Sequence, residues 1–226
     1  MMLQSPITPF SLVDQTFERI ADAIVRGELK PGERIREALL ARELGISRGV
    51  LREAMQRLEG RKLVMRTSNI GVHVVERSRQ DLYELVSMRE ALEGMAARLS
   101  AQHMADEEIA GLQRHLDEHG RHRDVKTGES YFQATEDDLH YRIARGSHNS
   151  RLQAALCDEL FYQLRLYRYR SSAIPGRAQA ALHEHRHIVA AIAARDPDAA
   201  ERAMRTHLAN SRAHQTFDVE VRPQPT

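Results

Sequence analysis

The chain has 226 residues, with 33 lysines and arginines against 32 acidic residues, 42% hydrophobic content and a formal net charge of +1. That supplies apolar material for two ordinary buried cores, and the single cysteine, Cys157, excludes an internal disulfide. No apolar run reaches the roughly 18 residues of a membrane helix, and the opening MMLQSPITPF lacks the basic-then-apolar order of a secretory signal, so a cytoplasmic protein is expected. The near-neutral total conceals an asymmetry. Residues 1–77 hold 13 basic and 10 acidic residues, net +3, and the remainder holds 20 and 22, net −2.

Residues 1–11 read as a flexible tail. Val13, Phe17, Ile20, Ala21 and Ile24 recur at helical spacing and predict a first helix over 12–27, followed by the turn LKPGER and a short second helix over 37–44 that stops at Gly45. Ser47 then stands as an N-cap before a third helix, in which Val50, Leu51, Ala54, Met55 and Leu58 form an apolar stripe and Arg48, Arg52 and Arg57 lie off it. From Gly45 to Arg66 there are six basic residues and two acidic ones, a local field suited to a polyanion. Short β-prone runs at 63–67 and 71–75 flank the turn Ser68-Asn69-Ile70 and predict a two-stranded wing. A bundle with a solvated basic face is the plainer alternative. The coincidence of turn-separated helices, a capped basic helix and a hairpin favours a winged helix-turn-helix over 12–76.

After a charged linker at 77–80 the pattern becomes helical to residue 217, with a tail at 218–226. Six helices are predicted, over 81–101, 106–122, 128–145, 150–171, 177–194 and 197–214, so the chain is mainly α with a C-terminal helical bundle. Polar residues fall on the apolar stripes of three of them. At about 100° per residue, Glu136 and His140 lie on the face of Phe132, Leu139 and Ile143; His185 lies with Leu182, Ile188, Val189 and Ile192; His207 lies with Ala200, Ala203, Met204 and Leu208. Burying three imidazoles and a carboxylate without a partner is costly, and one divalent cation satisfies all four. Zinc suits this donor set best, with nickel, manganese and iron as the other candidates. A rival pattern overlaps it: His183, Glu184 and His187 form a literal H-E-x-x-H, the zinc-hydrolase signature. Each of those histidines is two residues from His185, roughly 200° from the inward stripe, so the two readings exclude each other.

The segments IVRGELKPGERIRE, LARELGISR, LREAMQRLEGRKLV and NIGVHVV resemble the DNA-binding domain of the GntR family of bacterial transcription regulators. EDDLHYRIARGSHNSRL, HEHRHIVAAIAARDPDAA and MRTHL resemble the FCD ligand-binding domain of its FadR subfamily, and six helices suggest the VanR-like branch. This resemblance implies a homodimeric regulator, not an enzyme, that binds a palindromic operator and responds to a small organic acid, with repression as the commoner mode. It implies that the helix opened by Ser47 enters the major groove, with Arg48 and Arg52 reading base edges, where bidentate arginine to guanine is the commonest specific contact. Arg36, Ser47, Arg57 and Asn69 are then assigned to phosphate, and Gly71 lets the wing backbone approach the minor groove. The metal ligands it implies are Glu136, His140, His185 and His207, with the adjacent Asp137 as substitute for Glu136, because Asp is usual at that position. Arg89, on or near the inward face of its helix, is either an internal ion pair with Glu93 or Glu136 or, as the resemblance supports, a clamp for the anionic effector. Asn149 is either an effector contact or the cap of the helix at Ser150. Gly49-Val50 stands where Thr-Pro is common and Ile70 where a basic residue often precedes the wing glycine, which leaves the operator sequence open. The remaining alternatives are a helical zinc hydrolase and a nonspecific architectural DNA-binding protein.

Overall fold

A computed structural model describes residues 11–121, 138–172 and 174–213 and divides into two compact units, Met1–Glu76 and Arg77–Thr226. In the first unit, helix α1 (Leu12–Val25) begins at a capping box: the Ser11 hydroxyl accepts from the Asp14 amide at 3.1 Å and the Asp14 carboxylate accepts from the Ser11 amide at 2.9 Å. Its buried Phe17, Ile20, Ala21 and Ile24 share a core with Leu51, Ala54, Met55 and Leu58 of α3 (Arg48–Gly60). Helix α2 (Glu37–Glu43) is joined to α3 through Gly45, whose φ of +67° fits a residue without Cβ. The helix-turn-helix order is as expected.

Strands β2 (Val64–Thr67) and β3 (Gly71–Val74) form the antiparallel wing. A third strand, β1 (Arg34–Ile35), pairs with the far side of β3, giving the order β1-β3-β2. Two residues are too few to show a period, so β1 is invisible as an alternation pattern.

The second unit is helical. Helix α4 (Arg79–His103) starts two residues before the expected point because Ser78 and Asp81 form another capping box. Helix α5 (Asp106–Arg121) follows. The helix expected over 128–145 is described only as α6 (Leu139–Gly146), which is capped by Asp138 in an extended conformation, φ −69° and ψ 161°. The expected helix over 150–171 is three pieces: α7 (Ser150–Gln153), a π-helical segment (Ala154–Glu159) and α8 (Phe161–Ser172). The Tyr141 hydroxyl donates to the Cys157 carbonyl at 2.8 Å within that π segment, which ties the irregular backbone to α6. Helices α9 (Arg177–Ala193) and α10 (Pro197–Ala213) complete the bundle. Among the described residues no helix is long and apolar enough to cross a membrane.

The bundle core gathers Leu85, Ala97, Leu112, Ile143, Leu164, Ile188, Ile192, Met204 and Leu208. Two glycines set its close approaches. At Gly94 of α4 a Cβ would stand 3.1 Å from Arg205 Cγ of α10, and at Gly146 it would stand 1.7 Å from Met104 Cε. Met104 is itself 2% exposed and has little room to retreat. Gly146→Ala is therefore expected to destabilise this unit by about 1–3 kcal/mol, the range for overpacked cores, as read by urea unfolding.

Candidate functional site

On the first unit, Ser47 caps α3, its hydroxyl accepting from the Val50 amide at 3.3 Å. The cap places Arg48 and Arg52 one turn apart on the exposed side, opposite the buried stripe. Among the described residues neither forms an ion pair, and neither does the exposed Arg36. Arg57 is different: it binds Asp14 of α1 and, at 3.0 Å, Glu53. Its guanidinium bridges α1 and α3, so a contact with phosphate would compete with these two carboxylates. At the wing tip the exposed Asn69 has φ +64° and Gly71 has φ +97°. A Cβ on Gly71 would meet the Arg34 guanidinium at 3.6 Å, so there the constraint is backbone conformation more than space.

In the second unit, His140 of α6, His185 of α9 and His207 of α10 converge, with one ring nitrogen of each within 4.8 Å of the others. His185 Nε2 and His207 Nε2 are 3.3 Å apart. Glu136 and Asp137 lie outside the described residues.

Each of two histidines is held by a carboxylate behind it. His140 Nδ1 lies 2.6 Å from Glu93 Oε2, and His207 Nδ1 lies 2.6 Å from Glu184 Oε2. A carboxylate on Nδ1 takes its proton as a hydrogen bond and leaves the Nε2 lone pair for a cation, the arrangement found behind metal-bound histidines. Burial pushes His207 down to about 4 and also lowers His140, so both rings are neutral ligands near pH 7. Burial alone would raise Glu184, but bonds from His207, Arg177 and Asn210 outweigh it and hold the carboxyl at about 2. Glu93 is likewise held well below the usual carboxylate range: Arg89, His140 and Arg168 overcome its burial. Burial pushes the Cys157 thiol up to about 11, which leaves it a neutral, half-buried side chain packed on the core.

Guanidiniums surround this cluster. Arg89, 2% exposed, donates from Nε to Glu93 at 2.9 Å and lies over the Tyr167 ring, 5.2 Å from its centroid; of its two sequence readings, the Glu93 pair is observed. Arg168 bridges Glu93 at 3.0 Å and Asp138 at 2.7 Å. Arg177, the first residue of α9, donates from Nη2 to Glu184 at 2.6 Å, with His207 Nδ1 3.3 Å from the same nitrogen. Its Nε and Nη1 are buried without a hydrogen-bond acceptor among the described residues. Of the two sequence readings of Asn149, the cap is observed: its side-chain oxygen accepts from the amides of Arg151 and Leu152, both at 3.1 Å, at the start of α7.

Sequence reasoning missed Arg168 and Arg177, and it placed Glu184 only in the hydrolase pattern. In the structure Glu184 turns inward while His183 and His187 are exposed, which takes the H-E-x-x-H residues apart. The available signal was the i, i+7 spacing of Arg177 and Glu184, which puts them on one side of α9.

Residues 12–74 match the bacterial regulatory proteins of the gntR family, and residues 84–210 match the FCD domain. The chain belongs to the GntR family of transcriptional regulators. This regulator is 28% identical over 209 residues to the HTH-type transcriptional regulator YdhC of Bacillus subtilis, covering 92% of this chain and 91% of that protein. It is 31% identical over 205 residues to the "Probable D-xylose utilization operon transcriptional repressor" of Paenarthrobacter nicotinovorans (90% and 88%), and 32% identical over 170 residues to the Nta operon transcriptional regulator of Aminobacter aminovorans (75% and 78%). Among solved structures it shares the fold of E. coli McbR/YncC, with a TM-score of 0.69 at 22% identity over 90% of this chain and 96% of that one. A GntR regulator from Rhodococcus sp. RHA1 gives 0.67 at 25% identity, over 90% and 97%. The hydrolase reading falls with the family assignment: the relatives are transcriptional regulators.

Proposed function

We propose that this GntR regulator is a repressor that reads a palindromic operator through Arg48 and Arg52 and senses a small organic anion at a divalent-metal centre built on His140, His185 and His207. The observation that carries the sensing half is the pair of carboxylates at 2.6 Å behind His140 and His207, which turn the Nε2 lone pairs of two buried rings toward a shared centre. Glu136, with Asp137 as its substitute, is the proposed fourth ligand. Three imidazoles and one carboxylate suit zinc first, then nickel, manganese or iron. When bound, the ion supplies a Lewis-acidic position for an effector oxygen. Arg177, with two buried donor nitrogens, Nε and Nη1, beside His207 that have no acceptor among the described residues, is the better candidate than Arg89 to hold the effector's other end. Repression is supported by the relative named as a repressor of a D-xylose utilization operon.

The second copy needed for a palindrome has a surface available. Met88 and Met95 on α4 are 52% and 40% exposed and follow one stripe with the half-buried Leu92 and Leu99, the kind of apolar row a homodimer covers. Effector binding then shifts the population between arrangements of the paired DNA-binding units. A DNA partner supports a cytoplasmic location.

The test is selection of bound genomic fragments, followed by binding to the recovered operator and to random duplex at one stated salt concentration. Arg48→Ala and Arg52→Ala are each expected to lower the specific-over-random ratio by about 1–3 kcal/mol, roughly 5- to 150-fold, the worth of a bidentate base contact. Equal affinity for any duplex would instead identify an architectural DNA-binding protein.

A further inference from the structure

Helix α9 carries histidines on two opposite faces. His185 joins the interior cluster, whereas His183 and His187, one turn apart and both exposed, stand on the outer face with their Nε2 atoms 3.0 Å apart and ring centroids 4.5 Å apart. Glu184 between them is committed elsewhere, one oxygen on His207 and Arg177 and the other on Asn210. What remains outside is a pair of imidazoles.

That spacing matches a chelate. With metal–nitrogen bonds of about 2.0–2.1 Å, two imidazoles on one ion stand roughly 2.9 Å apart at a right angle and roughly 3.4 Å apart at a tetrahedral angle. The observed 3.0 Å lies inside that window, and the i, i+4 placement on an unbroken helix keeps both arms on one side. Closing on an ion therefore needs a rotamer adjustment and no backbone movement.

We propose that His183 and His187 form a second, solvent-facing transition-metal site, a bidentate clip for Cu²⁺, Ni²⁺ or Zn²⁺ with water completing the coordination. Imidazole donors select these ions over Mg²⁺ and Ca²⁺, which take oxygen, and the ordinary affinity order puts copper first. The clip also has a structural consequence. A metal bridge across the turn from His183 to His187 stiffens the middle of α9, where Glu184 and His185 lie. The site rests on the outer face alone and does not depend on the interior centre being metal-bound.

The test is calorimetric titration of the full, untagged chain with Cu²⁺ and with Ni²⁺, with retention on immobilised Ni²⁺ as the second readout. The unsubstituted protein is expected to take up one more equivalent than His183→Ala or His187→Ala. Loss of one arm should weaken that equivalent on the order of 100-fold, because the second imidazole binds intramolecularly. His207→Ala removes a member of the interior cluster and keeps the surface equivalent, so failure of the clip and failure of the interior reading are distinguishable. Both clip positions are exposed; His183→Gln serves as a second variant, and circular dichroism checks that each variant is folded. Equal stoichiometry and affinity in the unsubstituted protein and both single variants would overturn the proposal, as would an equivalent lost only on His207→Ala.

Discussion

His207→Ala, made in a His183→Ala background that lacks the surface histidine pair, is expected to abolish metal uptake at the proposed interior centre, measured as metal content after dialysis against limiting Zn²⁺. The ring is the hub of the cluster: its Nε2 lies 3.3 Å from His185 Nε2, and its Nδ1 is held 2.6 Å from Glu184. Removing a carboxylate that only orients a metal-binding histidine costs about 10–100-fold in affinity, so Glu184→Gln should fall in that range and His207→Ala should exceed it. His140→Ala and His185→Ala should follow His207→Ala. A second readout is stability: free Zn²⁺ at 100 times its dissociation constant should raise the unfolding free energy of His183→Ala by about 2.7 kcal/mol and leave the His183→Ala/His207→Ala double variant unmoved. Stoichiometric Zn²⁺ bound to that double variant with unchanged affinity would sink the interior metal centre.

Glu93→Ala is expected to destabilise the helical unit by about 3–5 kcal/mol, the usual loss when one member of a buried charge network is removed. Glu93 is 2% exposed and accepts from Arg89 at 2.9 Å, from Arg168 at 3.0 Å and from the His140 ring at 2.6 Å. Its truncation strands the buried Arg89 without that carboxylate and removes the group that fixes the His140 tautomer. Arg168 keeps Asp138 and softens the loss. The contrasting control is Arg205→Ala, which breaks the more exposed pair with Glu201 and should stay within about 1 kcal/mol. Urea unfolding followed by helical circular dichroism measures both; a Glu93→Ala protein as stable as Arg205→Ala would mean that the network is not holding the bundle.

The helices of the DNA-binding unit were legible because their causes are local. Ser47 caps the next turn, Gly45 takes the left-handed backbone, and the period of Val50 to Leu58 marks the buried side of α3. The inward turn of His140, His185 and His207 followed from the same helical phase. Where local order breaks, the reading broke too. Phase carried the expected third helix through position 138, but Asp138 prefers to cap, and the helix expected over 150–171 passes into a π segment at Ala154–Glu159. Asn149 has two readings in the sequence, and the tertiary structure shows the cap, with its oxygen on two amides of α7.

The chain alone thus established a winged helix-turn-helix, a helical second unit, a basic helix with Arg48 and Arg52 outward and three histidines turned inward, because periodicity and capping act within a few residues. Folding in three dimensions decided which charges meet. Arg57 reaches Asp14 across 43 positions, Glu93 reaches His140 across 47, and Glu184 reaches His207 across 23. Such pairings depend on how helices pack, and no repeat in the sequence records them. They tie Arg57 to Asp14, place a carboxylate behind each of two histidines, and leave Arg177 with buried N–H groups beside the cluster.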